Sequence, residues 1–396
     1  MTAPGSTPGG PLLPGATLGV MGGGQLGRMF VQAAQAMGYT TAVLEPDRGS
    51  PAGWVAHHHI ACGYQDEDGL TQLVGRCDAV TTEFENVPAR SLQTLGAVRP
   101  VHPSAEAVAV CQDRAAEKAH FVRSGVPCAP HAVIDGAEAL AAVADGLLPG
   151  VLKTARLGYD GKGQVRVADR AALAAAWDQL GRVPCVPEQL LPLALELSVV
   201  VARNGRGEVV ELPVQQNLHR DGILAVTQVP APDAPPALQQ QAVAAARALA
   251  ETMGYVGVLC VEFFVLAEDS SVGRLVANEM APRPHNSGHW SIDGADVSQF
   301  ALQVRTLAGL PLVAPRQHSA AVMLNLLGDL WFRDGVERQP PWDRVLALPG
   351  AHLHLYGKAS ARPGRKMGHL TITAADAAQA RAVALEAAAL LGLPAF

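Results

Sequence analysis

Apolar and polar positions along this chain follow two periods, and the switches between them mark out the elements. Thr17 to Met21 is a short apolar run, dense enough for a buried strand, and it breaks at Gly22-Gly23-Gly24-Gln25-Leu26-Gly27. From Gln25 to Met37 apolar residues return at helical spacing and stop at Gly38. Thr41 to Leu44 is the next strand and runs into Glu45, and Ala79 to Thr82 is another, followed by Glu83-Phe84-Glu85-Asn86. The alternation of strand and helix predicts an α/β unit over the first part of the chain. A helix opens at Asp113-Arg114 and ends near Ser124-Gly125, placing Arg114 and Lys118 on one face.

Beyond that point strands dominate. Pro149 to Thr154 and Val165 to Val167 predict a hairpin, Cys185 to Leu190 a short strand, and Leu197 to Val201 a longer one. Val256 to Val265 is almost wholly apolar apart from Glu262, and Leu275 to Met280 is closed off by Pro282 and Pro284.

Composition narrows the class without naming it. The 396 residues are 49% hydrophobic and 17% charged, which suits a globular chain of two or three domains. A net charge of −6 with no long Lys/Arg block speaks against nucleic acid, and no apolar run reaches bilayer length, so neither nucleic acid nor membrane is expected as a partner. The first sixteen residues, rich in Pro, Gly, Ser and Thr, predict a floppy tail rather than a signal peptide, and the cytoplasm is the expected compartment. Six cysteines without a Cys-x-x-Cys pair predict neither a zinc site nor a disulfide framework. The His57-His58-His59 run is expected to be a solvated loop, because three consecutive residues of a regular element do not converge on one ion.

Two glycine turns carry candidate chemistry. Gly22-x-Gly24-x-x-Gly27 with Glu45 beyond the next strand is a formal dinucleotide fingerprint, although any βαβ unit that brings its first turn to an anion needs the same glycines. Lys153 feeds Gly158-Tyr159-Asp160-Gly161-Lys162-Gly163-Gln164, a loop that reads either as a phosphate grip or as an ordinary hairpin turn. Acids sit at several strand ends. Glu83 is placed for a substrate amine or hydroxyl, or as a helix-start acid. Glu188, with the main chain of Gln189, Leu190 and Leu191, is placed for an adenine edge, and Glu196 for a ribose hydroxyl or for water. His219 points into a cleft or into solvent.

Glu262 and Glu279 form the second strong signal. A lone charge within an apolar strand costs several kcal/mol, on the order of the buried-ion penalty. If the two strands are antiparallel neighbours, opposed carboxylates need a cation between them, for which magnesium is the simplest choice; a protonated or arginine-paired acid is the alternative. Asn278 can join Glu279 as a ligand only where the strand bulges. The proline-stiffened segment Arg283-Pro284-His285-Asn286-Ser287-Gly288-His289 suits substrate positioning. The loop with Lys358, Arg362, Arg365 and Lys366 gathers four cations that either face phosphate or are solvated.

These motifs together resemble the ATP-grasp ligases, and within them the N5-carboxyaminoimidazole ribonucleotide synthetases. The resemblance rests on Gly22 to Met29, Gly158 to Gln164, Asn278 to His289 and Gly364 to His369, and runs from about Thr17 to the end. The tail before Thr17, the triple histidine, and Glu45 where aspartate is commoner depart from the pattern. The fold it implies is α/β and α+β with ATP-grasp architecture. A Rossmann-like pre-ATP-grasp domain would span 17–115 and an ATP-grasp domain 116–315, with a lid at about 130–190 and an antiparallel central sheet at about 191–315. A C-terminal domain over 316–396 would pack on that core.

The implied activity is ATP-dependent carboxylation of 5-aminoimidazole ribonucleotide with bicarbonate, through carboxyphosphate, by a homodimer that uses Mg2+. By the same resemblance Tyr159, Asp160, Arg283, His285 and Asn286 line the reacting centre. Arg114, Lys153, the loop Gly158 to Gln164, Glu188 to Leu191, Glu196, His219, Asn278 and Glu279 bind ATP. Gln25, Leu26, Glu83, Lys358 and Arg365 bind the ribonucleotide, and Glu262, Asn278 and Glu279 hold the metal. A formate-dependent glycinamide ribonucleotide transformylase or a biotin carboxylase would share the ATP half. An NAD-dependent oxidoreductase would use the first glycine turn, and a non-catalytic nucleotide sensor would bind ATP without turnover.

Overall fold

In the computed structural model, residues 10–158, 163–267, 272–333 and 335–396 are described. The first part is the expected α/β unit. Strands β1 (Thr17–Met21), β2 (Thr40–Leu44), β3 (His58–Ile60) and β4 (Ala79–Thr82) form a parallel sheet in the order β3-β2-β1-β4. The strands are buried on both faces, as parallel strands under helices are, which explains their unbroken apolar runs. Strand β3 corrects the expected histidine loop: His58 and His59 pair with Ala42 and Val43 at the sheet edge. The His57 ring nitrogen accepts from the Thr41 N–H, and the His59 ring lies 2.9 Å from the Glu45 carbonyl.

Strands β5 (Gly150–Thr154), β6 (Gln164–Val167) and β7 (Cys185–Gln189) make a separate three-stranded antiparallel sheet in the order β6-β5-β7. The two strands that flank the glycine loop therefore pair as predicted. Tyr159, Asp160, Gly161 and Lys162, within that loop, lie outside the described residues.

Most of the remainder is one nine-stranded sheet. It is built from β8 (Leu193–Arg203), β9 (Val209–Glu211), β10 (Gln215–Arg220), β11 (Ile223–Val229), β12 (Gly257–Leu266), β13 (Leu275–Ala281) and β14 (Ala320–Leu327). Two short strands, β15 (Phe332–Arg333) and β16 (Val336–Glu337), pair apart from it, and β17 (Ala351–Leu355) and β18 (Lys366–Ala374) complete it. The order is β13-β12-β8-β10-β11-β14-β18-β17, with β9 beside β8. Alternation along β8 sorts its two faces. Leu197, Val199 and Val201 pack with the helix Pro236–Thr252, whereas Val200 and Ala202 pack with Trp290 and Leu302. Burying both faces is what made these strands almost wholly apolar. The helix Gln299–Leu307 then ties this body to the first sheet, burying Phe300, Val304 and Leu307 against Phe30 and Val31. Gln303 donates across the same junction to Thr81.

Candidate active site

The three larger sheets meet around one cleft of about 710 Å³. One wall is an ion cluster. The helix Arg114–Arg123 starts at Asp113, whose carboxylate accepts from the Ala115 and Ala116 N–H groups, and this sets the direction of its first turn. Arg114 and Lys118 share a face, as their spacing predicts, and both reach Glu188 on β7. Lys118 Nζ lies 3.2 Å and Lys153 Nζ 3.1 Å from the same Glu188 oxygen, and Arg114 stands 3.9 Å from the other. Burial pushes the Glu188 carboxyl up, but Lys118, Lys153 and Arg114 outweigh it and hold it down at about 2. Burial works the other way on Lys153 and lowers its pKa. Lys118 is fully buried. Its helical phase pointed to this face, but only the fold brings in β7 as its target.

Glu188 does not simply wait for adenine, as the sequence suggested: one oxygen is engaged by two lysines. The other, Oε1, is buried without a hydrogen-bond partner among the described residues. The Gln189 and Leu190 N–H groups donate to the carbonyls of Pro130 and Pro149, so neither is available to a base. Glu196 and His219 both line the cleft and contact each other through an oxygen and Nδ1. Burial opposes a charged His219, yet the Glu196 hydrogen bond and the Glu262 charge raise its pKa.

Glu262 pairs with Glu279 across β12 and β13, and the register slips immediately afterwards, so that Phe263 faces Ala277. Asn278 is the extra residue of this bulge, the condition under which both it and Glu279 can face the cleft. Both do line it, together with Glu262. Glu279 is 3.5 Å from Arg114, and Asn278 Oδ1 is 3.5 Å from Lys153. Burial and the opposing Glu279 push the Glu262 carboxyl up to about 7. A site that resists its own negative charge, with three oxygen donors, fits a hard dication. His285 Nε2 lies 3.2 Å from Glu262. Burial and the neighbouring Arg283 lower the His285 pKa well below the ordinary value, so a neutral ring makes this contact.

The opposite wall settles the first glycine turn. The N–H groups of Gly24 and Gly27 donate to the two Glu83 oxygens at 2.6 and 2.7 Å, and the Gly23 N–H donates to Glu45 at 2.9 Å. A Cβ on Gly24 would stand 2.5 Å from Glu83, so glycine is required by the carboxylate's approach. The amides that would cradle a pyrophosphate are thus occupied by the chain's own acids, which removes the dinucleotide reading. Glu83, expected at a substrate amine or hydroxyl, pins this turn, and Gln25, Leu26 and Glu83 all line the cleft.

Arg283 donates from Nε to Glu85 at 2.5 Å, and although burial opposes it, this pairing raises the arginine pKa. Asn286 is buried, with both amide atoms unpartnered among the described residues. In the cationic loop it is Lys366 that lines the cleft. Lys358 and Arg365, named from sequence, are not among the lining residues. Lys358 donates to the Lys366 carbonyl at 2.7 Å and Arg365 to the Ser360 carbonyl at 2.8 Å. The sequence signal for Lys366 was its place at the start of β18, where alternation picks one cation for the cleft side.

Comparison with known proteins agrees along most of the chain. Residues 15–112 match the ribonucleotide synthetase preATP-grasp domain, residues 119–300 the ATP-grasp domain, and residues 321–383 the phosphoribosylaminoimidazole carboxylase C-terminal domain. The N5-carboxyaminoimidazole ribonucleotide synthase of Brucella melitensis is 43% identical over 91% of this chain and 97% of its own length. That of Bacillus subtilis is 39% identical over 91% and 92%. An ADP complex of an N5-carboxyaminoimidazole ribonucleotide synthetase superposes with a TM-score of 0.87 at 38% identity, covering 95% of this chain and 97% of the other. The Aspergillus clavatus enzyme in complex with ADP and 5-aminoimidazole ribonucleotide gives 0.85 at 30% identity over 96% and 99%. The chain belongs to the N5-carboxyaminoimidazole ribonucleotide synthase family of ATP-grasp ligases.

Proposed function

We propose that the chain carboxylates the exocyclic amine of 5-aminoimidazole ribonucleotide with bicarbonate at the expense of ATP, a step of purine biosynthesis. What carries the reading is one cleft lined by Lys153, Glu196 and His219 together with Gln25, Asn286 and Lys366. Adenine sits beside Glu188 Oε1 and Leu191, the ribose at Glu196 and His219, and the phosphates at Arg114, Lys153 and the loop from Gly158 to Gln164.

Glu262, Glu279 and Asn278 would hold Mg2+, whose charge would neutralise the phosphates. A bicarbonate oxygen attacks the terminal phosphorus of ATP, the bond to ADP breaks, and carboxyphosphate forms. The amine of the ribonucleotide then attacks the carboxyl carbon of carboxyphosphate, or carbon dioxide released from it, and phosphate leaves. Asp160 takes the amine proton. Tyr159, Arg283, His285 and Asn286 position the one-carbon unit, Arg283 being held in place by Glu85. The ribonucleotide phosphate lies at the cationic loop, with Lys366 on the cleft side and Lys358 and Arg365 in the same loop. No described helix is long and apolar enough to cross a membrane, and the reading places the enzyme in the cytoplasm as a homodimer.

The deciding experiment measures ADP release from ATP, Mg2+ and bicarbonate with and without 5-aminoimidazole ribonucleotide. Strong stimulation by the ribonucleotide is expected. Stimulation by glycinamide ribonucleotide with formate instead would move the assignment to a transformylase, and ATP binding without turnover on any acceptor would leave a nucleotide sensor.

A further inference from the structure

Behind the cleft wall, the C-terminal hairpin meets the segment that follows His285 to Trp290. His354 on β17 and His369 on β18 are direct cross-strand partners, and their rings stack 4.5 Å apart at 15°. Asp293, from the short helix Ser291–Gly294, places a carboxylate oxygen 2.9 Å from His354 Nε2. One donor atom from each of Asp293, His354 and His369 lies within 4.8 Å of the other two. None of the three lines the cleft.

The decisive member is His369. It is fully buried, its Nδ1 is 3.0 Å from the Tyr356 hydroxyl, and its Nε2 has no hydrogen-bond partner among the described residues. A buried polar atom left unpaired is destabilising. A hydrogen-bonded Asp293–His354 pair accounts for two of the side chains but leaves that nitrogen unexplained. With Nδ1 turned to Tyr356, the ring is oriented as metal-bound imidazoles are by an outer partner.

We propose that Asp293, His354 and His369 form a second metal site, for a late first-row divalent ion of the zinc type. Two imidazoles and one carboxylate suit such an ion, whereas Mg2+ prefers oxygen donors throughout and belongs at Glu262 and Glu279. Three protein ligands leave a fourth position for water, and the partial exposure of His354, 30% at the side chain, provides a way in. A bound ion ties the segment after Asn286 to the hairpin that carries Lys366, two walls of the same cleft.

The test uses the full chain saturated with Mg2+, so that the carboxylate pair is filled, and titrates Zn2+ by calorimetry and Co2+ by visible absorption. One ion per chain is expected, with a rise in melting temperature and a Co2+ d–d band. His354→Ala and Asp293→Asn should each weaken binding by at least about 10- to 100-fold, the range that changes to outer partners alone already cause. Both sites are partly exposed, so these variants stay informative if His369→Gln fails to fold. No stoichiometric ion overturns the site. So does Zn2+ binding that is unchanged in both variants, or that is lost instead on His58→Ala and His59→Ala.

Discussion

Glu262 stands directly across from Glu279, and the one-residue slip that follows makes Asn278 the bulge residue beside them. Opposed carboxylates are unstable alone, and all three residues line the cleft.

Replacing one of the pair separates metal binding from folding. Glu279→Gln should lower ATP turnover by on the order of 100-fold or more, since metal-assisted charge stabilisation is worth several kcal/mol. Its far-ultraviolet dichroism and melting temperature should stay near wild type because Glu279 is half-exposed. Wild-type Mg2+ dependence in this variant would remove the metal assignment.

The pair also dictates a pH dependence. Glu262 titrates at about 7 in the fold against about 4.3 in an unfolded chain. The metal-free protein therefore binds the extra proton within that window, and this contribution to stability is full below it and is lost as pH rises through 7. Mg2+ needs the ionised pair, so the melting-temperature rise on adding Mg2+ should be larger at pH 8 than at pH 5. Glu188 has the opposite sign. Its pKa is depressed to about 2, so its contribution is present above the ordinary carboxylate range and fades as pH falls towards 2. An Mg2+ shift that grows towards acid pH would contradict the Glu262 assignment.

Removing Glu188 strands its cations. Glu188→Ala leaves Lys118, wholly buried, and Lys153 without their shared oxygen, and unfolding by denaturant should show a loss of about 3–5 kcal/mol. Adding Lys118→Met should restore part of that loss. Additive destabilisation in the double variant would mean the two are not coupled.

Asn286 behaves in the reverse way. Its amide is buried without a partner among the described residues, so Asn286→Ala removes none of their hydrogen bonds and should leave stability within about 1 kcal/mol of wild type. Acceptor-dependent kcat/KM should fall by about 10- to 100-fold, the weight of one or two polar contacts at a reacting centre. Lost stability with full activity would make it a structural residue instead.

Local pattern alone determined a good deal here. The switch from strand to helix period after Met21, the paired strands around the glycine loop, the helix face shared by Arg114 and Lys118 and the placement of Glu262 inside an apolar strand all follow from short-range rules. Side-chain period and turn chemistry act within a few residues and are written in the sequence. The motif from Asn278 to His289 was legible for the same reason, since prolines and a strand end fix where it must lie.

Tertiary structure decided the partners. Whether the amides of Gly23, Gly24 and Gly27 face a pyrophosphate or the chain's own Glu45 and Glu83 depends on strands far apart in sequence. So does the choice of Lys366 over Lys358 for the cleft, and the meeting of Asp293, His354 and His369. Charge, burial and hydrogen bonding are properties of neighbours in space, and neighbours separated by tens to hundreds of residues are set by sheet order and register, which no local pattern contains.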